Sequence, residues 1–158
     1  MERRVASTVD LDDLLASPIE GQHEHTVDDK GRLSIPSEFR TALDLNEGDE
    51  LVLTRHLSEA CLLVFWPEAW DHFKRQWRAF DPGTQSIVKR VVGGTARRAK
   101  LDRLGRVQVP KVLRDYAQLD GKCFVMGQSD KIELWAMATW DAAHGAGVHQ
   151  GVDVSALM

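Results

Sequence analysis

Two short turns hold the residues whose types and spacing could do chemistry. Residues 28–32 read DDKGR and residues 102–106 read DRLGR. In each, an aspartate precedes a glycine by three positions and an arginine by four. A guanidinium offers donors in a rigid fork that fits phosphate oxygens or the N7/O6 edge of guanine. Glycine adopts positive φ without strain and lets another backbone approach closely. The carboxylate can hold the turn through nearby backbone amides, or pre-orient the arginine. Arg32 and Arg106 are therefore the candidate contacts to a nucleic acid, and Lys30 and Arg103 add charge on the same loops. Asp28, Gly31, Asp102 and Gly105 shape the turns. A clasp that is structural in both copies and touches nothing else is the alternative reading of the aspartates.

The elements that position these turns recur as well. VDDKGRLSIPSEFR (27–40) aligns without gaps on LDRLGRVQVPKVLR (101–114), so Pro36 meets Pro110 and Arg40 meets Arg114. A period of 74 residues seen twice marks a duplicated module. Each copy reads strand, turn, strand, a proline-started short helix, then two strands. In the first copy these are a strand over 22–27, an alternating strand over 32–35, and a helix with Phe39, Ala42 and Leu43 on one face, ended by Gly48-Asp49. Strands over 50–55 and 61–66 follow. The second copy repeats this, with Leu113, Tyr116 and Ala117 on its helix and strands over 123–127 and 132–135. FWPEAW (65–70) and LWAMATW (134–140) end both copies, with a four-residue insertion at 55–61 of the first. Between them, Trp70, Phe73, Trp77 and Phe80 form an apolar helical stripe. Thr84 is the expected cap of a second helix carrying Ile87, Val88, Val91 and Val92.

A unit of about 45 residues buries too little apolar surface to stand alone. Two copies are expected to interlock into one mainly β (α+β) barrel with pseudo-two-fold symmetry and flanking helices, its two arginine turns side by side. The expected organisation is a flexible acidic extension at 1–20, a first repeat at 21–70, connecting helices at 71–94, a second repeat at 95–143 and a flexible tail at 144–158. Leu11, Leu14 and Leu15 could line a short docking helix within the extension.

The chain of 158 residues has a formal charge of −4. Residues 1–24 carry six acidic against two basic side chains, which alone accounts for that value. Residues 88–114 carry nine basic side chains and one acidic, Asp102. A basic zone beside an acidic tail is a usable electrostatic footprint for nucleic acid. No apolar run approaches a membrane span, and no secretory leader is legible. Cys61 and Cys123 stand singly in apolar contexts, as buried thiols of a reducing cytoplasm do.

The paired D-x-x-x-R turns, each followed by a proline-started helix, resemble the MraZ family of bacterial transcriptional regulators. Those proteins are tandem relatives of AbrB-like swapped-hairpin DNA-binding domains. GQHEH (21–25), CLLVFWPEAW (61–70) and KIELWAMATW (131–140) support the resemblance, which covers 21 to about 143. It implies two AbrB-like repeats, a closed ring of identical chains, and repression of the protein's own division and cell-wall operon through short direct repeats in double-stranded DNA. It implies a cytoplasmic, nucleoid-associated protein with Arg32 as its leading DNA contact. The extension at 1–20 departs from the family pattern, as do Arg97, Arg98 and Lys100, where relatives tend to be acidic.

Other function classes are weaker. His23, His25 and Asp28 could suggest a metal, but H-x-H without a third ligand at a set distance is a poor signal. No nucleophile–base pairing and no phosphate loop is legible, so the chain reads as a non-enzyme without cofactor, metal or small-molecule ligand. The rival is an interaction module, either an AbrB-like antitoxin or a ring adaptor that does not touch DNA.

Overall fold

The computed structural model describes residues 19–145 and Ser155. The leucines at 11, 14 and 15 and most of both tails lie outside the described residues. The strands are β1 (Glu20–Val27), β2 (Arg32–Ser34), β3 (Glu50–Arg55), β4 (Leu62–Phe65), β5 (Arg97–Lys100), β6 (Arg106–Gln108), β7 (Gly121–Gln128) and β8 (Ile132–Ala136). The helices are α1 (Ser37–Ala42), α2 (Pro67–Gln76), α3 (Pro82–Val88), α4 (Lys111–Ala117) and α5 (Met137–His144). A 3₁₀ turn, Trp77–Ala79, follows α2, and a π-helical turn, Lys89–Gly93, follows α3.

The duplication appears directly in the strand order. Six antiparallel strands run β1-β7-β8-β4-β3-β5, and β2 pairs only with β6. Exchanging each strand with its counterpart in the other copy reverses this order without changing it. The pseudo-dyad passes between β4 and β8, where Leu63 faces Glu133, and through the ribbon, where Leu33 faces Val107. Each copy keeps its own hairpin (β3–β4, β7–β8) and lends its first strand to the other copy's hairpin. β1 pairs with β7 from Glu20↔Gln128 to Val27↔Gly121, and β5 pairs with β3 from Glu50↔Lys100 to Leu53↔Arg97.

The expected barrel is not closed. Among the described residues, β1 and β5 are the edge strands of an open sheet, because the short β2 and β6 spend their backbone groups on each other. The mainly β architecture with flanking helices and two interlocked repeats does hold.

The core lies where the two copies meet. All four residues of β4 are buried, as a central strand covered on both faces requires. Leu33, Ile35, Phe39, Val107, Val109 and Leu113 bury the inner side of the ribbon and its helices. Each such side chain contributes about 1.5–3 kcal/mol relative to exposure. Trp70 of α2 and Trp77 of the 3₁₀ turn are buried, and Phe73 stacks on Phe65 at 4.9 Å. The stripe ends there, since Phe80 is exposed. A satellite cluster of Cys61, Met126 and Trp135 packs beneath Phe124 and Trp140. Glu133 is its buried polar member, and Trp135 Nε1 donates to Glu133 Oε1 at 2.9 Å.

Several local expectations need correction. α1 stops at Ala42, which is exposed, and Asp44 then takes φ +51, as Gln118 takes φ +54 after α4. In both copies the next amide, Leu45 or Leu119, donates to the carbonyl of Arg40 or Arg114. That left-handed cap ends the helix four residues before Gly48. Asp81, not Thr84, caps α3: its Oδ1 accepts from the Thr84 amide and its Oδ2 from the Thr84 hydroxyl, both at 3.0 Å. Ile87 is half exposed, so only Val88 and Val92 anchor that segment fully. Ile19 is fully buried and Glu20 already pairs, so the folded body begins before residue 21. At the other end, His144 belongs to α5 and rings with Trp140 at 4.8 Å.

Candidate nucleic-acid interface

The two turns have the same geometry. Asp28 Oδ1 accepts from the amides of Lys30 (2.9 Å) and Arg32 (2.8 Å), while Oδ2 accepts from Arg32 Nε at 2.7 Å. Asp102 Oδ1 accepts from Leu104 and Arg106 amides, both at 2.9 Å, and Oδ2 from Arg106 Nε at 2.8 Å. One carboxylate thus closes the turn with one oxygen and fixes the arginine with the other. These bonds hold both carboxyls below the usual carboxylate range, the Arg32 or Arg106 amide being the largest cause. Gly31 and Gly105 sit at φ +79 and +77, which a side chain would strain.

A second device locks the turns to one another. Arg40 Nε donates to the Ile35 carbonyl at 3.0 Å, and Arg114 Nε to the Val109 carbonyl at 2.9 Å. Each guanidinium then lies across the glycine of the opposite copy. A Cβ on Gly105 would stand 2.5 Å from Arg40 Cζ, and one on Gly31 would stand 2.7 Å from Arg114 Cζ. The Ile35 amide donates to the Gly105 carbonyl and the Val109 amide to the Gly31 carbonyl, at 2.9 and 2.8 Å. The sequence alignment contains Arg40 and Arg114, but their cross-dyad role needs the fold.

Antiparallel pairing sets Arg32 opposite Gln108 and Ser34 opposite Arg106. The two turns therefore close opposite ends of the ribbon instead of lying side by side. Cross-strand partners share a face, as do residues two apart on a strand. Arg32, Ser34, Arg106 and Gln108 thus form one face, with the buried Leu33 and Val107 on the other. The two arginines are diagonal neighbours, about 7–8 Å apart by strand geometry and somewhat less at Cβ. Lys30 and Arg103 are exposed on the turns, where Lys30 also offers its carbonyl to Gln108 Nε2 at 2.6 Å.

The metal reading does not assemble. His23 meets Phe39 edge-on at 4.9 Å and lies 3.7 Å from Glu38, while Asp28 is spent on Arg32. Among the described residues no group of three or more His, Cys, Asp and Glu side chains could hold a metal ion. Burial, and then His23, lowers the His25 pKa. Burial pushes the Cys123 thiol up to about 11 and raises Cys61 further, with Glu133 and Glu59 adding to the latter. Both are free and buried, not activated nucleophiles. Among the described residues no helix is long and apolar enough to cross a membrane.

Comparisons with known proteins agree with the duplication. Residues 19–90 and 93–144 match the family described as "MraZ protein, putative antitoxin-like". Curated relatives include three proteins named Transcriptional regulator MraZ. That of Roseiflexus sp. (strain RS-1) is 38% identical over 122 residues, spanning 76% of this chain and 82% of that one. The protein of Hydrogenovibrio crunogenus is 33% identical over 126 residues, 78% of this chain and 82% of its own. That of Desulfitobacterium hafniense (strain DSM 10664 / DCB-2) is 36% identical over 123 residues, 76% and 82% respectively. The match runs across both repeats and both clasped turns, and the chain belongs to the MraZ family.

Proposed function

We propose that this protein is a sequence-specific DNA-binding transcriptional regulator, and that the β2–β6 ribbon is its reading head. One observation carries the reading: two guanidiniums, each fixed through Nε by its own aspartate, share the solvent face of a two-stranded ribbon. B-DNA's major groove admits a two-stranded ribbon, and an arginine fork matches guanine O6/N7 or phosphate. The clasp uses Nε and leaves the guanidinium's terminal nitrogens to a ligand. Arg32 and Arg106 are the leading contacts, with Lys30 and Arg103 set against phosphates. Names of the relatives support regulation as the role.

The finer reading is repression of the protein's own division and cell-wall operon from short direct repeats, by a ring of identical chains in the cytoplasm at the nucleoid. A single ribbon of three residues per strand makes few contacts. Repetition around a ring would multiply them, with avidity gains of about 10²–10⁴. Footprinting of the upstream region tests this together with light scattering of the free protein. Protected, evenly spaced direct repeats and a closed oligomer are expected. Protection of one isolated site by a monomer contradicts it.

The family description favours a second reading, an antitoxin-like partner function. Co-purification of a stoichiometric nuclease, with no selective DNA binding, would establish it in place of the first.

A further inference from the structure

The pseudo-dyad that relates the two repeats is kept in backbone and broken in charge. At the ribbon the copies nearly match. One strand earlier they do not. The residues Arg97, Arg98, Ala99 and Lys100 of β5 occupy the positions of His23, Glu24, His25 and Thr26 of β1. Three cations on one edge strand thus face one carboxylate and two imidazoles on its counterpart. Among the described residues, β1 and β5 are the two edge strands of the sheet, so the difference falls at its opposite margins.

The three cations are not equivalent. Arg98 Nη1 bonds Glu50 Oε1 at 3.1 Å, so its charge is compensated. Arg97 is exposed, and among the described residues its Nη1 donates to the neighbouring Ala96 carbonyl, at 3.0 Å. Lys100 is exposed. The loop before β3 meets the end of this strand through two backbone bonds, Leu101 amide to Asp49 carbonyl and Gly48 amide to Leu101 carbonyl, both at 2.9 Å. The Asp49 carboxylate is engaged by the Asn46 amide at 2.8 Å. On the opposite margin, Glu24 lies 3.8 Å from Lys122, and no arginine or lysine stands on β1.

Continuity ties β5 to the ribbon. Lys100 precedes Asp102, the carboxylate that clasps Arg106, by two residues. At about 3.3 Å per residue, Arg97 lies some 10 Å further out along the same strand. A ribbon seated in a groove would thus have a basic strand leading from its Arg106 end and a neutral-to-acidic strand leading from its Arg32 end.

We propose that the exposed edge of β5, with Arg97 on one face of the strand and Lys100 on the other, grips the phosphate backbone of double-stranded DNA and gives the pseudo-symmetric ribbon a single orientation on its site. This rests on the DNA-reading function proposed above. A symmetric ribbon could seat either way round with similar energy. Two phosphate contacts on one margin remove that degeneracy, because the reverse seating would bring Glu20 and Glu24 against phosphates. Identical orientation on every subunit is what direct repeats, as opposed to inverted ones, demand.

The test measures binding of the whole protein to a duplex of its upstream region as salt is varied. Each neutralised phosphate contributes about 0.9 to the slope of log K on log[salt]. The double variant Arg97→Ala/Lys100→Ala should flatten the slope by about 1.8 per bound subunit and leave the footprinted sequence unchanged. Arg97→Lys should keep the wild-type slope, which separates charge from any effect on folding. An iron chelate on the exposed Thr26→Cys, on the opposite margin and outside the proposed contact, gives the orientation, since Cys61 and Cys123 are buried and do not compete for the label. Strand cleavage on the same side of every repeat is expected. An unchanged slope, or cleavage on both sides, overturns this proposal while leaving the ribbon reading intact. Absence of selective binding by the wild type overturns both.

Discussion

Asp28 and Asp102 each do two jobs with one carboxylate, and that economy makes them acid-sensitive. Their pKa values lie below the usual 3.8, so the folded state holds these protons less readily than the unfolded chain. Stability from the clasps is therefore fully present above the ordinary carboxylate range and lost as pH falls below it. Thermal melts taken from pH 6 downward should show the Asp28→Asn/Asp102→Asn variant losing less stability in acid than the wild type. Equal acid sensitivity would mean that the clasps add nothing. The glycines are the second point of strain. Gly31→Ala must accept φ +79 and displace the Arg114 guanidinium from 2.7 Å. Strain of this kind costs about 1–3 kcal/mol, which at 2–4 °C per kcal/mol lowers Tm by roughly 2–12 °C. A melt within 1 °C of wild type would show that the turn opens freely.

At the scale of elements, the exchange of first strands decides stability. β1 completes the hairpin of the other copy and β5 returns the exchange, so neither repeat holds a closed sheet by itself. Separately expressed segments 19–92 and 93–145 should each give the circular dichroism of an unfolded chain and regain sheet signal when mixed. A folded isolated half would contradict the swapped pairing. Much of this was readable beforehand, because alternation marks strands and the duplicated D-x-x-G-R-x-x-x-P pattern marks equivalent turns. Pairing was not, since β1 and β7 are joined by nearly a hundred residues and periodicity carries no partner information. Closure into a barrel was inferred from the need of two small halves to share a core and failed, because an interlocked pair is equally compatible with an open sheet. Ala42 was misplaced for a similar reason: its i, i+3 spacing to Phe39 fits a buried face, but α1 has ended before a neighbour covers it.

For the whole molecule, the candidate site was legible as residue types and turns, and its two-sidedness was not. Arg32 and Arg106 stood out by repetition. That they close opposite ends of one ribbon follows only from the β2–β6 register. The clamp of Arg40 on Gly105 and Arg114 on Gly31 shows why both turns must be built together, since each copy's helix holds the other's loop. The same interlocking explains how a chain with net charge −4 presents cations locally. Clasped guanidiniums are fixed in place, so little side-chain entropy is lost when they meet a ligand.

The most direct measurement is binding of wild type and Arg32→Ala to a labelled fragment of the protein's own upstream region, with random duplex as competitor and oligomer size followed by light scattering. A lost arginine fork costs about 1–3 kcal/mol at one base contact. We expect selective wild-type binding, a drop of at least about fivefold for Arg32→Ala, and partial recovery in Arg32→Lys, which restores charge without the fork. The oligomer should stay intact throughout. Equal, weak binding by wild type and Arg32→Ala would contradict the account and leave the clasped turn as a structural device.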